Sequence, residues 1–278
     1  MDHQFVSNGN KVHYIKVGEG SPMLFLHNGA GMWQCWQHQV AYFSKSHTVY
    51  ALDWPGCGGS EYPEGALSMP VLDRTLDDFV AHEKLEKFIL VGNCIGASAA
   101  LSFSLKSGHK LEKLILLNIC PGDLLFPKFM PKQFVIDLEN RPKVKALIAK
   151  IMPWVYNRWV IRSMFPKRLF GKNMNRNDDF YKLYQYRLFM KVQEQSRNDM
   201  FYKAYTYNLA PILQHKKAPK HMLLWGEENE VADLKNMGAL HYEMLQSDEF
   251  HVIKSAGHLC MYEKPDEINA IITRYLNG

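Results

Sequence analysis

Residues 88–100 read FILVGNCIGASAA, and no other stretch of the chain constrains its fold as tightly. Apolar β-formers from Phe88 to Val91 run into Gly92, Asn93, Cys94, Ile95 and Gly96, and small helix-formers follow at Ala97, Ser98, Ala99 and Ala100. A strand that becomes a helix across Gly-x-Cys-x-Gly lifts one side chain clear of a sheet, and the flanking glycines let strand and helix crowd it without a Cβ clash. The side chain so presented is the Cys94 thiol. Serine is the usual occupant of such a turn.

Apolar runs and turn signals on either side extend the pattern. Residues 11–17 and 22–27 run or alternate apolar around GEGSP, which predicts a hairpin entering a sheet. A strand is expected over Thr48–Asp53 before a glycine-rich loop, a helix over 70–85 from the spacing of Leu72, Leu76, Phe79 and Val80, another helix over Ala97–Ser107, and a buried strand in LEKLILLNIC. Strands alternating with helices imply βαβ units and a mainly parallel sheet. The rhythm breaks after Cys120: from Pro121 to about His215 the chain offers helical stretches rich in aromatics, Met, Lys and Arg, punctuated by prolines. It resumes with KHMLLWGEENE, then a strand, a loop and a closing helix. The expected architecture is α/β, a core of residues 1–120 and 216–278 carrying an inserted helical cap at 121–215. With 278 residues, 47% of them hydrophobic, the chain can bury a core of that size.

Five cysteines, an odd number without regular spacing, suit a reducing compartment better than a disulfide framework, and no CxxC pair suggests a metal. Cys35, Cys57, Cys120 and Cys260 are expected to pack in the interior. The first residues carry no basic stretch followed by an apolar one, and no run has the length of a bilayer span, so a cytoplasmic location is expected.

Five motifs, in chain order, carry a resemblance: HNGAG at 27–31, DWPGCGGS at 53–60, GNCIG at 92–96, WGEENE at 225–230 and AGHLCMYEKPDEIN at 256–269. Together they resemble the α/β-hydrolase superfamily, whose members write an HG-type oxyanion loop, a D-x-P-G-x-G-x-S signature, a nucleophile elbow, W-G-E-x-D and a histidine segment in this order. A cysteine in the elbow also occurs in relatives such as dienelactone hydrolases and polyhydroxyalkanoate synthases. The resemblance implies Cys94 as nucleophile, at the start of a helix whose dipole favours a thiolate, and His258 as general base. It implies an oxyanion hole of two backbone amides, Ile95 and either Asn28 or Gly29, with His27 bracing the loop. Asp53 and Ser60 are expected to shape the glycine-rich loop. No cofactor or metal is called for.

The acid position departs from the family. Three residues after Gly226 stands Asn229, flanked by Glu228 and Glu230. A Cys–His pair can work with an amide that orients the ring, as in the Cys-His-Asn arrangement, so Asn229 is compatible with Cys94. Glu230, Glu228 or Asp123 are the alternatives, and restoring aspartate at 229 is expected to leave activity standing.

This reading implies an acyl-Cys94 intermediate passed to water, giving an esterase or thioesterase, or to another nucleophile, giving an acyltransferase. A non-catalytic binding protein on the same fold and a lyase using the same pocket are the competing classes. Residues 121–215 hold 17 Lys and Arg against 7 Asp and Glu, while the rest of the chain is mildly acidic, 16 against 21. A basic cap over a pocket lined by Trp33, Trp154, Trp159 and Phe165 suggests an acyl chain presented on coenzyme A or an acyl-carrier protein. A solvated lysine surface and peripheral membrane contact through a basic amphipathic helix also fit that charge; no nucleic-acid motif is present.

Overall fold

The computed structural model describes residues 1–29, 31–63, 67–119, 167–187, 217–232, 234–238 and 245–278, with a few isolated positions between them. Asp123, Trp154, Trp159, Phe165 and Cys120 lie outside the described residues, as does most of the expected cap. The described strands are β1 (Asp2–Ser7), β2 (Asn10–Val17), β3 (Ser21–Leu26), β4 (His47–Leu52), β5 (Phe88–Asn93), β6 (Leu111–Leu117), β7 (Met222–Gly226) and β8 (Glu249–Ile253). They form one sheet in the order β1-β2-β4-β3-β5-β6-β7-β8. The β1–β2 and β2–β4 pairings are antiparallel and every other pairing is parallel. The helices among the described residues are α1 (Gln37–Phe43), α2 (Met69–His82), α3 (Ile95–Ser107), α4 (Asp179–Arg187), the single turn α5 (Cys260–Glu263) and α6 (Pro265–Asn277).

Period-two alternation feeds two cores. Leu24, Leu26, Tyr50, Leu90, Leu116 and Trp225 face the layer of α2 and α3. Their neighbours Phe25, Val49, Val91, Ile115 and Leu224 face α1, α5, α6 and residues of 167–187. Covering both faces explains why the central strands read as unbroken apolar runs. Among the described residues, no helix is long and apolar enough to cross a membrane.

The hairpin expected from residues 11–27 is not formed. β2 pairs instead with β1 across the Asn8-Gly9 turn, both residues at positive φ, and β4 lies between β2 and β3. The glycines of GEGSP answer a different need. Gly18 and Gly20 hold φ of +85° and +122°, and a Cβ on either would fall 2.3–2.4 Å from backbone oxygens of Ser44, Ser46 or His47. The loop crosses over the chain entering β4, and only glycine fits the crossing.

Candidate active site

The C-terminal ends of β3, β5, β6 and β7, and the loop after β8, converge on one edge of the sheet, the place where parallel α/β sheets assemble ligand sites. Cys94 follows β5 directly and caps α3 with φ 57° and ψ −117°, a conformation that non-glycine residues rarely hold. Its N–H donates to the Leu117 carbonyl at 3.0 Å and its carbonyl accepts the Ser98 N–H at 3.0 Å, so both sides of the turn are tied to the fold. The thiol-bearing residue is 6% exposed. The two glycines are there for contact: a Cβ on Gly92 would sit 2.4 Å from the Gly96 carbonyl oxygen, and one on Gly96 would sit 2.4 Å from that of Leu26 and 2.7 Å from that of His27. The second contact presses the loop after β3 against the start of α3. There the N–H of Ile95, in the first turn, has no intrahelical acceptor.

That loop is braced as the HNGAG segment suggested. The Trp54 N–H donates to His27 Nε2 at 3.0 Å, so His27 Nδ1 carries the proton and donates to the Asn28 carbonyl at 2.6 Å. Burial pushes His27 below the ordinary histidine range, which keeps it neutral in this role. Asp53 accepts the N–H of Trp33 (2.7 Å) and Gly59 (2.9 Å) and pairs with His13 at 2.7 Å, while the Ser60 hydroxyl donates to the Asp53 carbonyl at 2.7 Å. A Cβ on Gly58, at φ +53°, would overlap the Asp53 carboxylate, which accounts for glycine there. Trp33 is half-buried against the core layer that also holds Phe170 and Tyr184.

His258 is 1% exposed and its Nδ1 lies 3.2 Å from Asn229 Oδ1. The same oxygen accepts the N–H groups of Val231 and Ala232, each at 3.0 Å. Those backbone donors identify the atom as oxygen, so His258 Nδ1 donates and Nε2 is the nitrogen with the free lone pair. The Asn93 amide donates to the His258 carbonyl at 3.3 Å, which seats the histidine beside the residue preceding Cys94. Of the alternatives to Asn229, Glu228 turns away to accept the Lys172 N–H at 2.7 Å, and Glu230 is exposed.

Two further residues sit at this edge of the sheet with no local motif in the sequence to mark them. Tyr184 of α4 is fully buried; its hydroxyl accepts the Asn28 side-chain N–H at 2.8 Å, and burial raises its pKa well above the ordinary tyrosine range, so it keeps its proton. Its only signal was the aromatic i,i+4 pair Phe180/Tyr184. Asn118, at φ 43° just after β6, is a buried polar residue closing an apolar run.

The segment 167–187 is joined to the histidine loop. Leu259 N–H donates to the Leu169 carbonyl at 3.1 Å, and Tyr262 stacks on Phe180 and donates to Asp178 at 3.0 Å. Glu263 bridges both chains, accepting the N–H of Gly171 at 2.7 Å and of Gly257 at 2.9 Å. Burial pushes its carboxyl up to about 7, against the two N–H groups and with help from the Glu228 carboxylate. A raised pKa stabilises the fold fully below the ordinary carboxylate range, and that contribution fades as pH rises through about 7. Thermal midpoints of the wild type and Glu263→Ala, measured from pH 5 to pH 8, are expected to draw closer as pH rises. A gap that widens would contradict the assignment.

Residues 23–271 match the profile of the Alpha/beta hydrolase family, and the chain belongs to that family. It is 29% identical to a soluble epoxide hydrolase of Corynebacterium sp. (strain C12) over 43% of this chain and 42% of that protein, so this match spans less than half of the relative's length. It is 24% identical to the 2-hydroxy-6-oxo-6-phenylhexa-2,4-dienoate hydrolase of Comamonas testosteroni over 95% of this chain and 91% of that one. A thermophilic esterase from Thermogutta terrifontis superposes with a TM-score of 0.78 at 21% identity, covering 100% of this chain and 98% of the esterase, which establishes the shared fold.

Proposed function

We propose that the chain is a hydrolase or acyltransferase of acyl esters or thioesters that works through a covalent intermediate on Cys94. The observation that carries the proposal is a left-handed Cys94 at the head of α3 beside Asn93, whose amide donates to the carbonyl of a buried His258 that is held at Nδ1 by Asn229. In the reaction, Cys94 Sγ forms a bond to the substrate's carbonyl carbon after its proton passes to His258 Nε2. The resulting oxyanion is held by the N–H of Ile95 and that of Asn28 or Gly29. The carbon–leaving-group bond then breaks, and the alcohol or thiol departs with the proton from His258. Water or a second nucleophile, deprotonated by the same nitrogen, attacks the thioester, and Cys94 is restored. Hydrolase names among the relatives favour water as the acceptor.

The test is intact-protein mass after incubation with an activated acyl ester such as p-nitrophenyl acetate. A saturable single-acyl adduct that maps to Cys94 and is lost in His258→Ala supports the proposal. Absence of an adduct without turnover of any substrate leaves a small-molecule or partner-binding protein, the reading that asparagine at the acid position favours; no adduct from the ester but turnover of a different substrate without a covalent step leaves a lyase. In a companion experiment, Cys94 should react with iodoacetamide far faster at pH 6 than Cys35 or Cys260, whose thiols burial pushes up to about 12.

For the substrate, the charge of 167–187 supports an anionic carrier such as coenzyme A or an acyl-carrier protein. Lys167, Lys172, Arg176 and Lys182 are exposed there, against Asp178 and Asp179. Raising ionic strength should then depress kcat/KM for an acyl-CoA much more than for a neutral acyl thioester of equal chain length, and reversing those four basic residues to Glu should mimic the salt effect. Equal salt dependence for both substrates would remove the carrier.

A further inference from the structure

The side-chain amide of Asn118 uses both lone pairs of its oxygen and both hydrogens of its nitrogen. Its Oδ1 accepts the Gly226 N–H and the Asn229 Nδ2 group, each at 3.0 Å. Its Nδ2 donates to the His258 carbonyl at 3.0 Å and to Asn93 Oδ1 at 3.1 Å, with Cys260 Sγ at 3.5 Å. One buried amide thus joins the residue before Cys94, the end of β7, the residue that holds the His258 ring and the backbone of His258 itself. Two of its partners are backbone groups of fixed polarity, a donor at Gly226 and an acceptor at His258. Rotating the amide by half a turn would set N–H against N–H and oxygen against oxygen, so its orientation is locked.

We propose that Asn118 is a positioning residue of the site, and that it makes asparagine rather than aspartate the residue accepted at 229. The lock is passed along a chain of amides. Because Asn118 offers oxygen, position 229 must offer a donor towards it; the other face of the Asn229 amide is then oxygen, and His258 must donate from Nδ1. An aspartate at 229 would instead place a carboxylate oxygen where Nδ2 stands, 3.0 Å from Asn118 Oδ1 with no hydrogen between them. This geometry opposes the expectation that the family's aspartate would be tolerated. It also explains the departure from W-G-E-x-D by a residue more than a hundred positions upstream.

The inference rests on the proposed catalytic role of His258, and its test keeps the two separable. With 15N-histidine labelling and assignment by His258→Gln, the ring nitrogen shifts of His258 report its tautomer whether or not the protein turns over any ester. The wild type and the isosteric Asn118→Asp, with a neutral acid standing for the amide, are expected to show protonated Nδ1 alone. In Asn118→Gly, which suits the positive φ, both tautomers should appear. Acylation of Cys94 by p-nitrophenyl acetate should fall about tenfold in Asn118→Gly with little change in KM. Asn229→Asp should lower acylation about tenfold in the wild-type background and raise it in the Asn118→Gly background, a change of sign that a merely structural Asn118 would not produce. A protonated Nε2 in the wild type, an unchanged tautomer in a folded Asn118→Gly, or a gain in rate on Asn229→Asp alone would each overturn the proposal. If Asn118→Gly does not fold, the wild-type tautomer and the Asn229→Asp rate still decide.

Discussion

Cys94→Ala is expected to reduce acyl-ester turnover by about a thousandfold or more while leaving the thermal midpoint close to that of the wild type. The two halves have different origins. Catalysis fails because no other described thiol stands at the turn from β5 into α3: Cys35, Cys57 and Cys260 lie at other points of the two cores. Stability survives because the turn is held by main-chain bonds, Cys94 N–H to Leu117 and Ser98 N–H to Cys94, which alanine retains. The left-handed φ of 57° is as costly for alanine as for cysteine, so that strain cancels in the comparison. Steady-state kinetics on a panel of acyl esters and thioesters, with calorimetry on the same samples, checks both halves. Turnover that persists in Cys94→Ala would remove the covalent route.

Gly226→Ala should be the most damaging single-methyl change near the site. A Cβ at 226 would lie 2.0 Å from the Gly257 carbonyl oxygen and 2.7 Å from that of Ala256, both backbone atoms immediately before His258. Overpacking against main chain has no rotamer to relieve it, so the loop carrying His258 must move or the fold must weaken, by about 3 kcal/mol. The Gly226 N–H bond to Asn118 and the Glu227 and Glu228 N–H bonds to Ile253 and Ala256 would shift with it. Denaturant melts paired with Cys94 acylation rates measure the two costs. A variant with wild-type stability and wild-type acylation would mean that the close approach at Gly226 does not set the position of His258.

Much of this arrangement was legible in the sequence because it is written locally. The glycines around Cys94, the Asn229 position three residues beyond Gly226 and the His258 segment each announce a turn within a few residues, and short-range sterics enforce it. Sheet order is another matter. GEGSP has the composition of a hairpin turn, and nothing in it reveals that β4 will come between β2 and β3, since Gly18 and Gly20 answer to atoms of residues 44–47. Asn118 and Tyr184 were invisible for the same reason. An asparagine after an apolar run, or one tyrosine among 14, acquires its role only when distant segments arrive against it. Asn118 meets position 229, and Tyr184 meets Asn28.

The bridge made by Glu263 ties residues 167–187 to the histidine loop. Because one carboxylate holds Gly171 and Gly257, the latter beside His258, while Leu169 and Leu259 are bonded directly, residues 167–187 cannot lift from the sheet without breaking these ties or pulling on the histidine loop. Tyr184 would leave Asn28 in the same movement. Displacing 167–187 would therefore disturb the backbone around His258 and free the Asn28 side chain together, so the segment and the histidine loop behave as one mechanical unit.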